Sequence, residues 1–329
     1  MLRTREYLMR TFCTAILFLS ATPLLAQNTG PSHAFDYDSK APLDIQEAGV
    51  EHRGGVAIHD ISYASLKGGR VPAYLVVPEG KGPFAAVLWG HWYWQNSAFF
   101  NRKEFLEEAV ALAHAGVVSL LPTGVGARPG HVDDPDELSD QQVANLVQQI
   151  MDMRRGADLL LARKDVDAQR FAYVGHSYDA TVGAFLSGID KRFQAFVLMA
   201  GGLSDELDLK TEEYKQFRQK YGPEKFDEKV AKRAWLDPGK FVSHAAPAIV
   251  FLQYGTHDAP FLSPERARQY AALVSEPKQF KLYDAPHALN AEARRDRIAF
   301  LCHQLKLKPL DPSLIAGIPD LPQPPDPTP

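Results

Sequence analysis

The stretch Phe171-Ala172-Tyr173-Val174-Gly175-His176-Ser177-Tyr178-Asp179-Ala180 constrains the fold more than any other part of the chain. Residues of strand character lead into Gly175 and Ser177, and a helix-forming segment, Thr181 to Ile189, follows. In this strand–turn–helix setting a serine sits on a strained turn with its hydroxyl exposed, and close packing asks for glycine two positions before and two after it. Gly175 meets that requirement and Asp179 does not. A turn of this kind needs a buried strand feeding a helix, so the chain should be built from a sheet covered by helices.

The remaining pattern agrees. Gly55–Tyr63 alternates loosely, and Val71–Pro78 follows across the hairpin-like turn Lys67-Gly68-Gly69. Ala85–Trp89 and Val117–Leu121 are short continuous apolar runs, as expected of strands covered on both faces. Between them Phe105, Leu106, Ala109, Val110, Leu112 and Ala113 recur at helical spacing, and Gly116 stops the helix. A long helix is predicted from Ser139, with Gln142 three residues on in a capping-box arrangement and an apolar face of Val143, Leu146, Val147, Ile150, Met153, Ala157 and Leu160. After the elbow strand come strands at Phe193–Met199, Ala248–Tyr254 and Gln279–Tyr283. The reading is therefore an α/β protein with an eight-stranded, mostly parallel sheet and helices on both faces. The charged segment 203–246, with Tyr214, Phe217, Tyr221 and Phe226 interleaved, reads as a small helical cap or insertion between strands six and seven.

The ends read differently. Arg3, Arg5 and Arg10 precede the apolar run around Ala15–Leu19, and Leu24-Leu25-Ala26 offers a cleavage site, the layout of a signal peptide over residues 1–26, with an uncleaved membrane anchor as the alternative. Ser20, Thr22 and Pro23 interrupt that run before the ~20 residues a membrane span needs, so no stable membrane insertion is expected after cleavage. A periplasmic or secreted location follows. Cleavage would leave Cys302 as the only cysteine, without an internal disulfide. Residues 27–54 read as a polar, irregular extension, and 309–329, with eight prolines, as a surface-lying or disordered tail. The net charge of −4 is not the basic footprint of a nucleic-acid binder.

A serine hydroxyl becomes a useful nucleophile when a base takes its proton and an acid orients that base. Asp258 follows the seventh predicted strand in Tyr254-Gly255-Thr256-His257-Asp258, and His287 follows the eighth in Tyr283-Asp284-Ala285-Pro286-His287. Ser177, Asp258 and His287 thus all leave the C-terminal ends of strands, where open parallel sheets place their sites. Asp284, beside the eighth strand, competes with Asp258 for the acid's role, and His257 reads as a surface loop histidine.

These residues carry a resemblance to the α/β-hydrolase superfamily, and within it to dienelactone-hydrolase-like and acetyl-xylan-esterase-like serine esterases. It covers roughly residues 55–308 and rests on Gly175-His176-Ser177-Tyr178, Gly255-Thr256-His257-Asp258 and Pro286-His287. The resemblance implies Ser177 as nucleophile, Asp258 as orienting acid and His287 as general base, acting on a small-molecule carboxylic ester through an acyl-enzyme. Dienelactone hydrolases proper carry cysteine at the position of Ser177, which argues against their lactone specificity. The resemblance also implies an oxyanion hole formed by the N–H of Tyr178 and one after the third strand. The usual His-Gly there reads His91-Trp92, so the second donor is Trp92 or Tyr93. His91, Trp94 and His176 are candidates for lining a substrate pocket, although His176 also reads as structural. Asp179 reads either as a favourable charge at a helix start or as a carboxylate that opposes the developing oxyanion.

Gly124-Val125-Gly126-Ala127-Arg128-Pro129-Gly130 follows a strand, but Pro129 and the acidic run after it replace the helix a dinucleotide loop needs. No cofactor or metal is predicted. The competing functions are a serine peptidase or acyltransferase on the same fold and a catalytically silent binding protein.

Overall fold

Strands that are apolar on every residue need cover on both faces, and two separate cores supply it. The computed structural model describes residues 34–93, 99, 101–202, 204–258 and 262–322. The signal-like segment 1–26 and Trp94 lie outside the described residues. The elements in chain order are β1 (Gln46–Arg53), β2 (Val56–Ala64), β3 (Arg70–Val77), β4 (Phe84–Gly90), α1 (Leu106–Ala113), β5 (Val117–Pro122), α2 (Asp140–Leu161), β6 (Val166–His176), α3 (Tyr178–Ile189) and β7 (Ala195–Met199). The helices α4 (Asp205–Asp208), α5 (Glu212–Tyr221), α6 (Pro223–Arg233) and α7 (Pro238–Val242) come next. The chain continues through β8 (Ile249–Gly255), α8 (Pro264–Leu273), β9 (Lys278–Tyr283), α9 (Ala291–Gln304) and α10 (Pro312–Ala316).

The strands form a nine-stranded sheet in the order β1-β2-β3-β5-β4-β6-β7-β8-β9. The three pairings from β1 to β5 are antiparallel and all later ones parallel. Successive side chains point to opposite faces. Leu88, Tyr173, Phe196 and Leu198 therefore join a core under α2, α3 and α8, while Val87, Trp89, Val174 and Val197 join one under α1 and α9. α2 starts where the sequence places it, with the Ser139 hydroxyl accepting from the Gln142 N–H at 3.2 Å. The other half of the capping box is not made, because the Gln142 side chain turns to the Asp134 carbonyl. The described part of the insertion, 204–246, carries four helices, and Phe217 and Tyr221 pack around the buried Phe226.

Two expectations need correction. The sheet has nine strands, not eight, because β1 lies inside what reads as an irregular extension. It is an exposed, polar edge strand, so neither burial nor hydrophobic alternation marks it. The same segment is anchored further upstream by Phe35, which packs against Phe185, Trp235 and Phe241. The tail beyond 309 is also partly built into the fold. Leu310 and Ile318 are buried in the core beneath α9, with α10 between them; Pro312 sits at the start of that helix, where its missing N–H is not needed.

Candidate active site

β6 ends at His176 and α3 begins at Tyr178, leaving Ser177 alone on the turn with φ +53° and ψ −113°. A non-glycine residue holds such a conformation only where its surroundings impose it. Here the Ser177 N–H donates to the Met199 carbonyl at 2.7 Å, and α3 presses so close that a Cβ on Gly175 would lie 2.3 Å from the Asp179 carbonyl oxygen. The Ser177 hydroxyl makes no capping bond to the helix it heads, so it is not an ordinary N-cap.

It turns to His287 instead. Nε2 of His287 lies 2.8 Å from Ser177 Oγ, and Nδ1 lies 2.7 Å from Asp258 Oδ1. Both His287 and Asp258 are buried. Burial lowers the His287 pKa, opposed by the hydrogen bond that His287 donates to Asp258 and reinforced by nearby His176. The ring is therefore neutral near pH 7, with Nδ1–H directed at Asp258 and a lone pair at the serine. Asp284 takes no part in these contacts: its carboxylate is on the surface, 2.5 Å from His257, which is also exposed.

Behind the histidine lies a network that the sequence does not reveal. Glu104, in the turn before α1, accepts the Trp92 N–H on one oxygen and faces His176 Nδ1 with the other, both at 2.5 Å. His176 Nε2 lies 3.0 Å from the His287 carbonyl, to which it donates. The Trp92 ring meets His287 edge-on, with centroids 4.3 Å apart. Two of the sequence assignments change as a result. The Trp92 N–H is occupied by Glu104, whereas the Tyr93 N–H makes no hydrogen bond among the described residues. His176 is fully buried with both ring nitrogens engaged, so it does not line a substrate pocket.

No family model matches the sequence, and no curated protein matches it. The likeness is in three dimensions. An acetyl xylan esterase from Thermoanaerobacterium sp. JW/SL YS485 superposes with a TM-score of 0.68 at 18% identity, covering 83% of this chain and 91% of that one. An acetyl xylan esterase from Paenibacillus sp. R4 gives 0.64 at 20% identity, covering 79% and 88%, and a glucuronoyl esterase from Solibacter usitatus gives 0.55 at 13%, covering 82% and 88%. The fold is that of the α/β-hydrolases.

In this hydrolase fold Asp179 stands where the elbow usually has its second glycine, and the sheet makes room for it. A Cβ on Gly90, at the end of β4, would lie 2.5 Å from the Asp179 Cβ, so the absence of a side chain on Gly90 leaves space for the one on Asp179. The Asp179 carboxyl is buried, with Oδ1 accepting from Gln149 Nε2 at 3.0 Å. Burial pushes its pKa up to about 8, against the pull of the Gln149 amide and the His91 N–H. Asp179 is thus mostly uncharged at neutral pH, and neither sequence reading holds: it is not a charge at a helix start, nor an anion beside the oxyanion site.

His91 has both ring nitrogens engaged, one with the Trp92 carbonyl and one accepting the Gly124 N–H, each at 2.8 Å. The Val125 N–H donates to Gln149 Oε1. The glycine loop after β5 therefore uses these N–H groups on the protein itself, forming a wall in place of a phosphate cradle. Two cavities adjoin the elbow, and Tyr178 lines both. One of about 280 Å³ lies against the helical insertion, near Leu146, Tyr214 and Leu236. The other, of about 40 Å³, is lined by His91, Tyr93, Asn145, Gln149, Tyr178 and Asp179, with the glycine loop.

Proposed function

We propose that this protein is an exported serine hydrolase that cleaves carboxylic esters through an acyl-enzyme. The observation that carries the reading is His287, held between Asp258 at 2.7 Å and Ser177 Oγ at 2.8 Å, with the serine on a strained turn at the head of a helix. The esterase names of proteins sharing the fold support it. The signal-like layout of residues 1–26 supports export to the periplasm or beyond.

In this mechanism Ser177 Oγ attacks the ester carbonyl while His287 Nε2 takes its proton. Asp258 fixes the tautomer and stabilises the imidazolium. The carbonyl oxygen becomes an anion between two N–H groups. Tyr178 supplies one, the first N–H of α3, which has no acceptor within the helix. Tyr93 supplies the other, because Glu104 occupies that of Trp92. Each such donor contributes roughly 3 kcal/mol to the transition state. Collapse of the tetrahedral intermediate breaks the bond to the alcohol oxygen, which leaves with the proton from His287. Water then repeats the sequence on the acyl-enzyme.

Incubation with a fluorophosphonate probe and with methyl acetate tests the reading. Wild type should be labelled and should hydrolyse the ester, and Ser177→Ala should do neither while keeping its melting temperature within a few degrees. Labelling that survives the substitution places the nucleophile elsewhere.

A further inference from the structure

We infer that the small cavity beside the elbow is an acyl subsite that selects a short acyl group carrying a hydroxyl, of glycolyl size, with Asp179 as its hydrogen-bonding partner. This deepens the esterase reading and rests on it.

Location assigns the cavity to the acyl side. Tyr93 and Tyr178, whose N–H groups flank the ester oxygen in the proposed mechanism, are both in its wall. The leaving oxygen must reach His287 to be protonated, and neither His287 nor Asp258 lines the cavity. The group that enters it is the one on the other side of the carbonyl carbon.

Size limits that group. A water needs at least ~10–15 Å³ of such space, so about 40 Å³ admits the equivalent of about three water-sized groups. An acetyl or glycolyl chain fits, whereas a long acyl chain does not.

Chemistry selects the hydroxyl. Asp179 is 1% exposed, and its Oδ2 has no hydrogen-bond partner among the described residues. Leaving a buried polar atom unmatched is unfavourable, and a substrate group that supplies the match removes that penalty. The Asn145 amide, also in the wall, makes no hydrogen bond among the described residues and offers a second partner. Among the other polar wall groups, Gln149 bonds Asp179 and the Val125 N–H, and Tyr93 Oη donates to Asp133. With its pKa at about 8, Asp179 is mainly a neutral acid at pH 7 that both donates and accepts. A substrate hydroxyl, itself donor and acceptor, matches it in either protonation state, whereas an ammonium matches only the ionised form and a carboxylate only the protonated one. The rings of Tyr93 and Tyr178 and the Val125 side chain cover the carbon to which the hydroxyl is attached.

The test compares methyl glycolate with methyl propionate, which differ by a hydroxyl in place of a methyl, using methyl acetate as the reference. Each kcat/KM is divided by the ester's rate constant with hydroxide, which removes the difference in intrinsic reactivity. The wild type should prefer glycolate by at least about tenfold, the value of one hydrogen bond of roughly 1.5 kcal/mol. Asp179→Ala should bring the ratio to near unity, and Asp179→Asn, which keeps a donor and an acceptor, should retain part of it. Because the ratio is taken within one preparation, partial loss of folded protein cancels. Asn145→Ala, at a partly buried wall position, provides a second variant and should lower the ratio if the larger substitution does not fold. A wild type that cleaves acetate but shows no glycolate preference overturns the subsite and leaves the esterase reading standing, as does a preference that survives Asp179→Ala. Failure to cleave methyl acetate overturns both.

Discussion

Glu104 and His176 form a fully buried pair, with the carboxylate oxygen 2.5 Å from Nδ1, between the loop after β4 and the main chain of His287. His176 must donate from Nε2 to the His287 carbonyl, and Glu104 must accept from the Trp92 N–H. One side chain thereby fixes the loop that carries the proposed oxyanion donor and, through His176, the segment that carries the proposed general base. Glu104→Ala leaves both partners unmatched. It should lower the melting temperature and reduce kcat by roughly tenfold to a hundredfold, as expected when a reacting group moves by about 1 Å, with a smaller change in KM. Glu104→Gln should restore most of the kcat. Its amide can donate to Nδ1 of a neutral His176 while its oxygen accepts the Trp92 N–H. If glutamine is as damaging as alanine, the negative charge itself is needed, and the hydrogen-bonding account fails.

The two acids near the ends of β8 and β9 should separate cleanly. Asp258→Asn removes the acceptor that fixes the His287 tautomer, and kcat should fall by about 10⁴. Asp284→Asn removes an exposed contact to His257, an interaction of roughly 1 kcal/mol or less, so turnover should stay within about twofold. Steady-state kinetics on one activated ester decides, and a reversed ranking moves the acid to Asp284.

His287 must be neutral to accept the serine proton, so kcat/KM should rise with pH through its pKa and then level. Burial holds that pKa below the ordinary histidine value of 6.5, with His176 pushing it further down and Asp258 and Glu104 pushing it up. The midpoint of the acid limb should accordingly fall below 6.5. A midpoint at or above that value contradicts the buried, neutral base.

Asp179 links stability to pH in the direction opposite to most carboxylates. Its folded pKa is about 8 against an ordinary value of 3.8, so between those values unfolding releases a proton and stability falls as pH rises. The neutral Asp179→Asn should therefore gain on the wild type as pH rises from 4 to 8. With about 1.4 kcal/mol per pKa unit, the difference in melting temperature should grow by roughly 5–10 °C over that range. Thermal melts of both proteins at the two pH values measure it. A difference that stays constant would place an ionised carboxylate at this position throughout.

Much of this architecture is written locally. The strands at Ala85–Trp89 and Val117–Leu121 are legible because cover on both faces demands an apolar residue at every position. The start of α2 is legible because Ser139 meets Gln142 within one turn. The order Ser177, Asp258, His287, each at the end of a strand, is enough to nominate all three, and the fold brings them within hydrogen-bonding distance. β1 is not legible, since an exposed edge strand has no buried face to impose a pattern on Gln46–Arg53.

What the sequence by itself determined is therefore whatever depends on neighbours along the chain: period, capping, the elbow turn and the order of the candidate residues. Only the tertiary structure decided which N–H groups after β4 are free, that Glu104 is tied to His176 across 72 residues, and that Asp179 is buried as a neutral acid. The space for Asp179, on α3, comes from the missing side chain of Gly90 at the end of β4, and its protonation comes from the loss of water around it. Burial and long-range hydrogen bonds are properties of where segments meet, and no local spacing encodes them.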